Sequence, residues 1–297
     1  MRLRQIEVFH AVYSTGSMTS AAAMLNVSQP SVSKVLAHAE QQLGYLLFDR
    51  VKGKLVATPE AHRLFAHVSA VYRDVDRLRH VAENLKQGNS GRIRVACAPA
   101  FGLEVLPKAI KTFQDEHSDT VFEIETLHID EMAEALLASR VDIGIAFDAG
   151  KIPGIVDQTL ASSRFVVLAP PGVDFAGKKA LKATDLSGHR FIGLNGRGPL
   201  GRALAQYLEP VQAELDIVIW SETYHVVKTL VECGAGITVI DELTARSGDT
   251  SRVRILPLRP RLSFDIKVLS LAAAPLSIAT QLFVSHFAVA IQDFLDA

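Results

Sequence analysis

The sequence predicts a two-part chain: a mostly α N-terminal module, a winged helix-turn-helix with a long linker helix, followed by an α/β bilobed domain. Three observations carry this. Residues 17–43 read as two short helices meeting at a corner, with a basic hairpin after them. Residues 59–87 hold an apolar seam that repeats every seven residues. From Arg92 onward the pattern alternates strand and helix, and a strand–helix–strand–helix–strand series occurs twice. A chain of 297 residues is also too long for one small core.

The first helix is expected from about Leu3 to Tyr13, with Ile6, Phe9 and Tyr13 on one side. Ser17 is a good N-cap for an Ala-rich helix over Met18 to Leu25, and Asn26-Val27 makes the corner. Ser28 then caps a second helix with Pro30 in its first turn, where a missing N–H costs little. Val32, Val35, Leu36, Ala39 and Leu43 form its buried stripe. The opposite side carries Pro30, Ser33, Lys34, His38 and Gln41, with no acid among them. A helix of that kind can lie in a DNA major groove; the plainer reading is an ordinary surface helix.

After Leu43-Gly44, two short apolar segments flank Lys52-Gly53, a β-hairpin with Gly in its turn. Arg50, Lys52 and Lys54 crowd its tip, where cations suit phosphates or the minor groove. Overall charge is near neutral, at −1, yet residues 1–58 hold six basic against three acidic side chains. So modest an excess calls for two copies to grip DNA tightly, because the phosphate contribution grows with the number of contacts.

Thr58-Pro59-Glu60 is a helix start: a cap, Pro at the first position and an acid in the first turn. Leu64, Val68, Val71, Val75, Leu78, Ala82 and Leu85 then alternate at spacings of four and three. That seam is narrower than a core-facing stripe and asks for a partner helix. The helix is expected to end near Gln87, roughly 43 Å long, with Gly88 closing it. Asn89-Ser90-Gly91 links to the second region.

There R-I-R-V-A-C is a strand, Leu103 to His117 a helix, Val121 to Leu127 a strand, Ile129 to Ser139 a helix and V-D-I-G-I-A-F a strand. R-F-I-G-L, Leu200 to Leu208, L-D-I-V-I-W, Tyr224 to Cys233 and G-I-T-V-I repeat the series, with D-I-G-I-A-F-D echoed by G-I-T-V-I-D. Two such units, each around a mostly parallel sheet, make two lobes. Leu160 to Pro170 starts the second lobe, Phe264 to Leu271 returns, and a last helix, Ser277 to Leu295, packs on the first. The two crossings make a hinge.

The N-terminal residues resemble the LysR-type transcriptional regulators, a bacterial family. The resemblance rests on R-Q-I-E-V-F-H-A-V at 4–12, G-S-M-T-S-A-A at 16–22, S-Q-P-S-V-S-K at 28–34, L-G-Y-L-L-F-D-R at 43–50 and T-P-E-A at 58–61, in that order. Ala39 departs from it, since relatives usually carry a larger apolar residue there. A-C-A-P-A-F and R-V-K-G-K-L-V-A-T look most like the branch tied to amino-acid or opine metabolism. The resemblance implies a winged helix-turn-helix over 1–58 and a linker and dimerisation helix over 59–88. It also implies an effector domain over 92–297, close in architecture to periplasmic solute-binding proteins. Lobe one would take about 92–161 and 267–297, and lobe two about 162–266. It further implies double-stranded DNA, a small-molecule effector and RNA polymerase as partners, in a homodimer or homotetramer. The effector would alter the placement of the DNA-binding heads at a dyad-symmetric site.

The residues expected to meet DNA are Ser28, Gln29, Pro30, Ser31, Ser33 and Lys34, with Arg50, Lys52 and Lys54 at the wing. Gln29 suits a base edge, because an amide pairs bidentately with adenine, and Lys34 suits a phosphate. Ligands of open α/β sheets collect outside the carboxyl ends of strands. Those ends nominate Pro99, Ala100, Phe101, His128, Phe147, Leu194, Asn195, Gly198 and Thr223. Helix N-termini after two of these loops favour a small carboxylate, in keeping with an amino-acid-like effector. Many relatives place hydroxyls in the first loop, where this chain has Ala98, Ala100 and Gly102.

The rival reading is a nucleotide-binding enzyme. Gly196-Arg197-Gly198-Pro199-Leu200-Gly201 fits G-x-G-x-x-G, with Asp216 twenty residues after Gly196. Against it, Asp216 would begin its strand rather than end it, and Pro199 removes a backbone N–H. A plain solute-binding protein is disfavoured by residues 1–87. No catalytic set, metal cluster or cofactor motif stands out. Cys97 and Cys233 each lie in apolar sequence and are expected to be buried free thiols. Met1-Arg2-Leu3-Arg4 is not followed by a signal peptide's apolar core, and no apolar run approaches a membrane span, so the expected location is the cytoplasm.

Overall fold

A computed structural model describes residues 1–51, 54–87, 91–195 and 198–296, with the backbone alone for 51, 54, 73, 74, 76, 77 and 79–87. The chain divides into two compact units, 1–82 and 83–297.

In the first unit, α1 (Leu3–Thr15), α2 (Met18–Met24) and α3 (Gln29–Leu43) pack together. Ser17 caps α2, its hydroxyl accepting the Ser20 N–H at 3.3 Å. Asn26 turns the corner with φ at +51°, a left-handed conformation that Asn tolerates well. The core is Val8, Phe9, Val12, Ala21, Val32, Leu36 and Leu47. Ala39 is fully buried as well.

Strands β1 (Phe48–Val51) and β2 (Lys54–Ala57) pair antiparallel with Val51 opposite Lys54. One Glu40 carboxylate oxygen accepts the N–H groups of Leu47 and Phe48, at 2.8 and 3.2 Å, and so fixes where the hairpin leaves α3. The Thr58 hydroxyl accepts the Ala61 N–H at the start of α4 (Pro59–Gln87), which runs 29 residues.

The second unit is built on a continuous mixed sheet, not on two mostly parallel ones. Strands β3 (Arg92–Cys97), β4 (Val121–Thr126) and β5 (Ile143–Phe147) are parallel and make the first lobe's sheet. Strand β6 (Ile155–Ala169) is a single run of 15 residues. Its first part pairs with β11 (Ser263–Leu271), and β11 pairs with β5. Its second part pairs with β9 (Thr238–Asp241) and β10 (Arg254–Pro257) in the second lobe. The crossing therefore happens inside two strands, around Ser162 to Arg164. Leu160 to Pro170, expected to start the second lobe, is therefore mostly the later part of a strand that both lobes share.

The first lobe's core lies between its sheet and α6 (Val105–Glu116) with α11 (Ile278–Asp296); α7 (Ile129–Leu137) covers the other face. The second lobe repeats this around β7 (Arg190–Leu194) and β8 (Asp216–Ser221), a parallel pair. There α8 (Gly198–Leu208) packs on one face and α9 (Tyr224–Glu232) on the other. A bridge from Phe191 to Ile237 sets β9 parallel beside β7.

The helix expected over 103–117 is present as α6, which starts after Glu104, whose φ/ψ of −150°/−56° is not helical; a separate single turn, α5 (Pro99–Gly102), precedes it. Among the described residues, α11 is long and apolar enough to cross a membrane by length and composition, with a mean hydropathy of 1.3, contrary to the sequence reading. Its apolar character has a packing role, since Phe283, Phe287 and Ile291 are fully buried in the first lobe's core. A short helix, α10 (Glu242–Arg246), follows β9 and packs against α5, α9 and β6.

Candidate DNA interface and effector cleft

Helix α3 buries Val32, Leu36 and Ala39 and turns Ser28, Gln29, Pro30, Ser31, Ser33 and Lys34 outward, all exposed. Two details differ from expectation. Ser28 occupies the cap position, but its hydroxyl lies against the Ser31 hydroxyl at 2.9 Å, not on a backbone N–H, while its carbonyl accepts from Ser31 and Val32. His38 stays exposed but is turned toward α1. Its Nδ1 lies 3.1 Å from the Gln5 amide nitrogen, which also donates to Gln42 at 2.9 Å. At the wing, Arg50 is exposed on β1, paired with Leu55. Lys52 lies outside the described residues, and Lys54 is described by its backbone alone.

The seam of α4 is shared between two tasks. Val68 is buried, and Leu64 packs against the same N-terminal core, so these two serve the head itself. Val71 and Leu78, seven residues apart, are 44% and 69% exposed, and Val75 is half-buried. Ala82 and Leu85 fall where no side chains are described.

In the second unit the nominated strand ends gather as two walls. In lobe one the Leu127 N–H donates to the Cys97 carbonyl at 3.0 Å, holding the loops of β3 and β4 side by side. In lobe two the Asn195 N–H donates to the Ser221 carbonyl at 2.8 Å, doing the same for β7 and β8. The walls approach each other where α8 starts: a Cβ at Gly198 would stand 3.7 Å from the Ile129 methyl group of α7. Gly198 has φ at +86°, where a side chain would be strained. Pro99, His128, Asn195, Gly198 and Thr223 all retain exposure along these walls. His128 precedes α7, and its backbone N–H donates to Glu131 at 3.1 Å.

Four nominated residues pack into the cores. Ala100 and Phe101 are buried, and Phe101 packs on Phe147 and Phe287, at 4.5 and 6.4 Å between ring centres. Phe147 in turn meets Phe264 at 5.1 Å, and Phe264 meets Phe165 at 5.2 Å. This file of rings joins the cores of the two lobes, and Phe147 belongs to both. Leu194 is half-buried against the second lobe's core. Strand ends show which edge of a sheet faces a cleft, but not which side of each loop does.

Sequence reasoning missed Asp241, which ends β9 and has no exposed surface. Burial pushes its carboxyl up to about 6, although hydrogen bonds from the Thr244 N–H and the Thr244 hydroxyl oppose the shift. The neighbouring Tyr224 hydroxyl is pushed up too, by burial first and then by the Asp241 charge. The signal was present: an acid closing an otherwise apolar, buried strand is costly without a purpose. Cys97 is buried, and burial raises its thiol to about 11, which leaves it an unreactive apolar group. Cys233 is exposed, contrary to expectation, because it sits at the C-cap of α9, past the face that packs.

The Gly-rich loop does not make a nucleotide site. Asp216 opens β8 opposite Arg190, the first residue of β7, at the far end of the strands from Gly198. A ribose-binding acid belongs at the other end.

A head whose reading helix shows an exposed face without acids, joined to two α/β lobes with a cleft between them, defines the ligand-responsive DNA-binding transcription regulators. The chain belongs to the LysR family of these. Residues 3–62 match the family described as "Bacterial regulatory helix-turn-helix protein, lysR family", and residues 86–290 match the "LysR substrate binding domain". It is 37% identical to the HTH-type transcriptional regulator DgcR of a Pseudoalteromonas species, over 96% of this chain and 98% of that one. It is 31% identical to the transcriptional activator protein LysR of Escherichia coli, over 96% and 92%. To the octopine catabolism/uptake operon regulatory protein OccR of Rhizobium meliloti it is 27% identical, over 100% and 97%. Its fold resembles that of full-length CbnR, solved with its target DNA, with a TM-score of 0.69 at 20% identity, over 98% of this chain and 100% of that one. The family's members are transcription regulators and not enzymes.

Proposed function

We propose that residues 28–34 of α3 enter the major groove, with the wing on the adjoining backbone, and that a small carboxylate bound between the lobes repositions a pair of such heads. The observation that carries this is the exposed face formed by Ser28, Gln29, Pro30, Ser31, Ser33 and Lys34, polar or basic apart from Pro30, on a helix whose other side is packed. Gln29 reads a base, while Lys34, Arg50, Lys52 and Lys54 meet phosphates. We assign 1–58 to the head, 59–88 to the pairing helix and 92–297 to the effector domain, in a homodimer or homotetramer that works with RNA polymerase in the cytoplasm. Pro99, His128, Asn195, Gly198 and Thr223 line the effector cleft. An amino-acid-like effector agrees with the likeness to OccR, a regulator of an octopine operon.

The test compares two variants on duplexes from the chain's own upstream region. Lys34→Ala is expected to weaken all sequences together, by about tenfold, and to lower the salt slope by about one per head. Gln29→Ala is expected to relax preference at one base pair, costing about 1–3 kcal/mol there. Unchanged binding by both variants would overturn the assignment.

A further inference from the structure

Four aromatic rings form a column between α1 and the first half of α4. Tyr13 lies on Phe65 at 3.7 Å between ring centres, 14° from parallel. Phe65 lies on His10 at 5.4 Å and 20°, and His10 on Tyr72 at 4.3 Å and 8°. The rings come alternately from the two helices, Tyr13 and His10 from α1, Phe65 and Tyr72 from α4. At one end of the column the Tyr13 hydroxyl lies 2.5 Å from Nδ1 of His62, also on α4.

The spacing of these residues makes the rings interlock. His10 and Tyr13 are three residues apart and so share a face of α1. Phe65 and Tyr72 are seven apart, two turns or about 10.5 Å along α4, with room for one ring between them. His10 fills that gap. A slide of α4 along its axis drives Phe65 or Tyr72 into the imidazole, and a roll of the helix takes both rings off it.

The head does not need the outer half of this column for its core. Phe9 meets Tyr13, Phe48 and Phe65 there, at 6.0, 5.8 and 6.3 Å, and Leu64 and Val68 pack in the same cluster. Tyr13 and Phe65 lie against that core, whereas His10 and Tyr72 stand outside it, half-buried. Tyr72 is one turn beyond the buried Val68 and directly beside Val71, the first exposed residue of the seam. The pair thus sits where α4 passes from the head's core to its exposed seam.

From Tyr72 to Gln87 the helix rises about 22 Å, so a tilt of about 10° carries its end roughly 4 Å. Successive base pairs are about 3.4 Å apart. A roll of the helix likewise turns Val71 and Leu78 to a new direction relative to α3. Either change moves the dyad of a pair relative to its reading helices, and with it the distance between half-sites.

We propose that His10 and Tyr72 are positioning residues that set the half-site spacing a pair of heads accepts. The inference rests on the paired, DNA-reading heads given above, and adds which side chains choose the spacing.

The experiment uses the full-length chain and inverted repeats of the half-site that the wild type selects from random duplexes. Their spacing is varied one base pair at a time, and a duplex with a single half-site is the control. The wild type is expected to prefer one spacing about tenfold over its neighbours, because a duplex of the wrong length must twist or bend to meet both heads. Tyr72→Ala and His10→Ala are each expected to reduce that preference below about threefold, with single half-site affinity and mass by light scattering unchanged. Tyr72→Phe, which retains a ring in the column, is expected to behave as the wild type. If both alanine variants keep the preference, or Tyr72→Phe loses it as they do, the inference is overturned. It is overturned too if both alanine variants lose single half-site affinity or mass, since the column would then serve the fold or the pairing itself. A wild type that takes every spacing alike overturns the inference and leaves paired heads in place. One that binds no repeat more tightly than a single half-site brings down that reading, and this inference with it.

Discussion

Replacing Val71 and Leu78 together by lysine is expected to turn the protein into a monomer and to cost a hundredfold or more in DNA affinity. Both side chains stand in solvent, one heptad apart, on a helix whose more N-terminal seam residues are committed to the head's own core. Two lysines there leave the head's packing untouched and oppose the approach of a second helix. Losing the partner removes the second head, and linked modules owe about two to four orders of magnitude of their avidity to each other. Light scattering reads the mass, and titration of a labelled duplex reads the affinity. A double variant that stays paired, or a monomer that binds as before, would show that the heads work singly.

Asp241→Asn carries the second large effect, on stability. The carboxyl titrates at about 6 in the folded chain against an ordinary 3.8, so the folded state holds its proton more tightly than the unfolded one. Its contribution is fully present below pH 4, is lost as pH rises through 6, and then levels off. That span corresponds to about 3 kcal/mol of destabilisation at neutral pH. Asparagine keeps the cap and carries no charge. The variant is therefore expected to melt well above the wild type at pH 7.5, with the gap closing as the pH approaches 4. A gap independent of pH would mean that burial does not raise this carboxyl.

Legibility in the sequence followed the range of the interactions. The helix pair was readable because its caps, its Ala-rich stretch and its apolar stripe are local and agree with one another. The long helix was readable from Pro59 and its seam. What could not be read was which partner each seam residue serves. Leu64 and Val68 have the same spacing as Val71 and Leu78, and only the folded head separates them. The doubled series of strands announced two lobes, but Ser162 to Arg164 hid the fact that one strand runs through both. Phe101 and Phe147 were placed at a sheet edge, but their packing into the lobe cores was not legible, since an aromatic at a strand end serves a core or a cleft equally well by pattern. Asp241 was within reach: the echo of D-I-G-I-A-F-D in G-I-T-V-I-D set an acid at the end of two buried strands. Asp148, the first, uses its carboxylate to accept the Asp265 N–H at 2.7 Å, whereas Asp241 uses its own to cap α10, accepting the Thr244 N–H at 2.8 Å.

Selection of duplexes from a random library by the purified full-length chain tests most directly whether two linked heads read DNA. Enrichment of an inverted repeat, its half-sites centred one or two helical turns apart, is the result expected. Recovery of single, unrepeated sites, or of no preferred sequence in dilute salt, would contradict it.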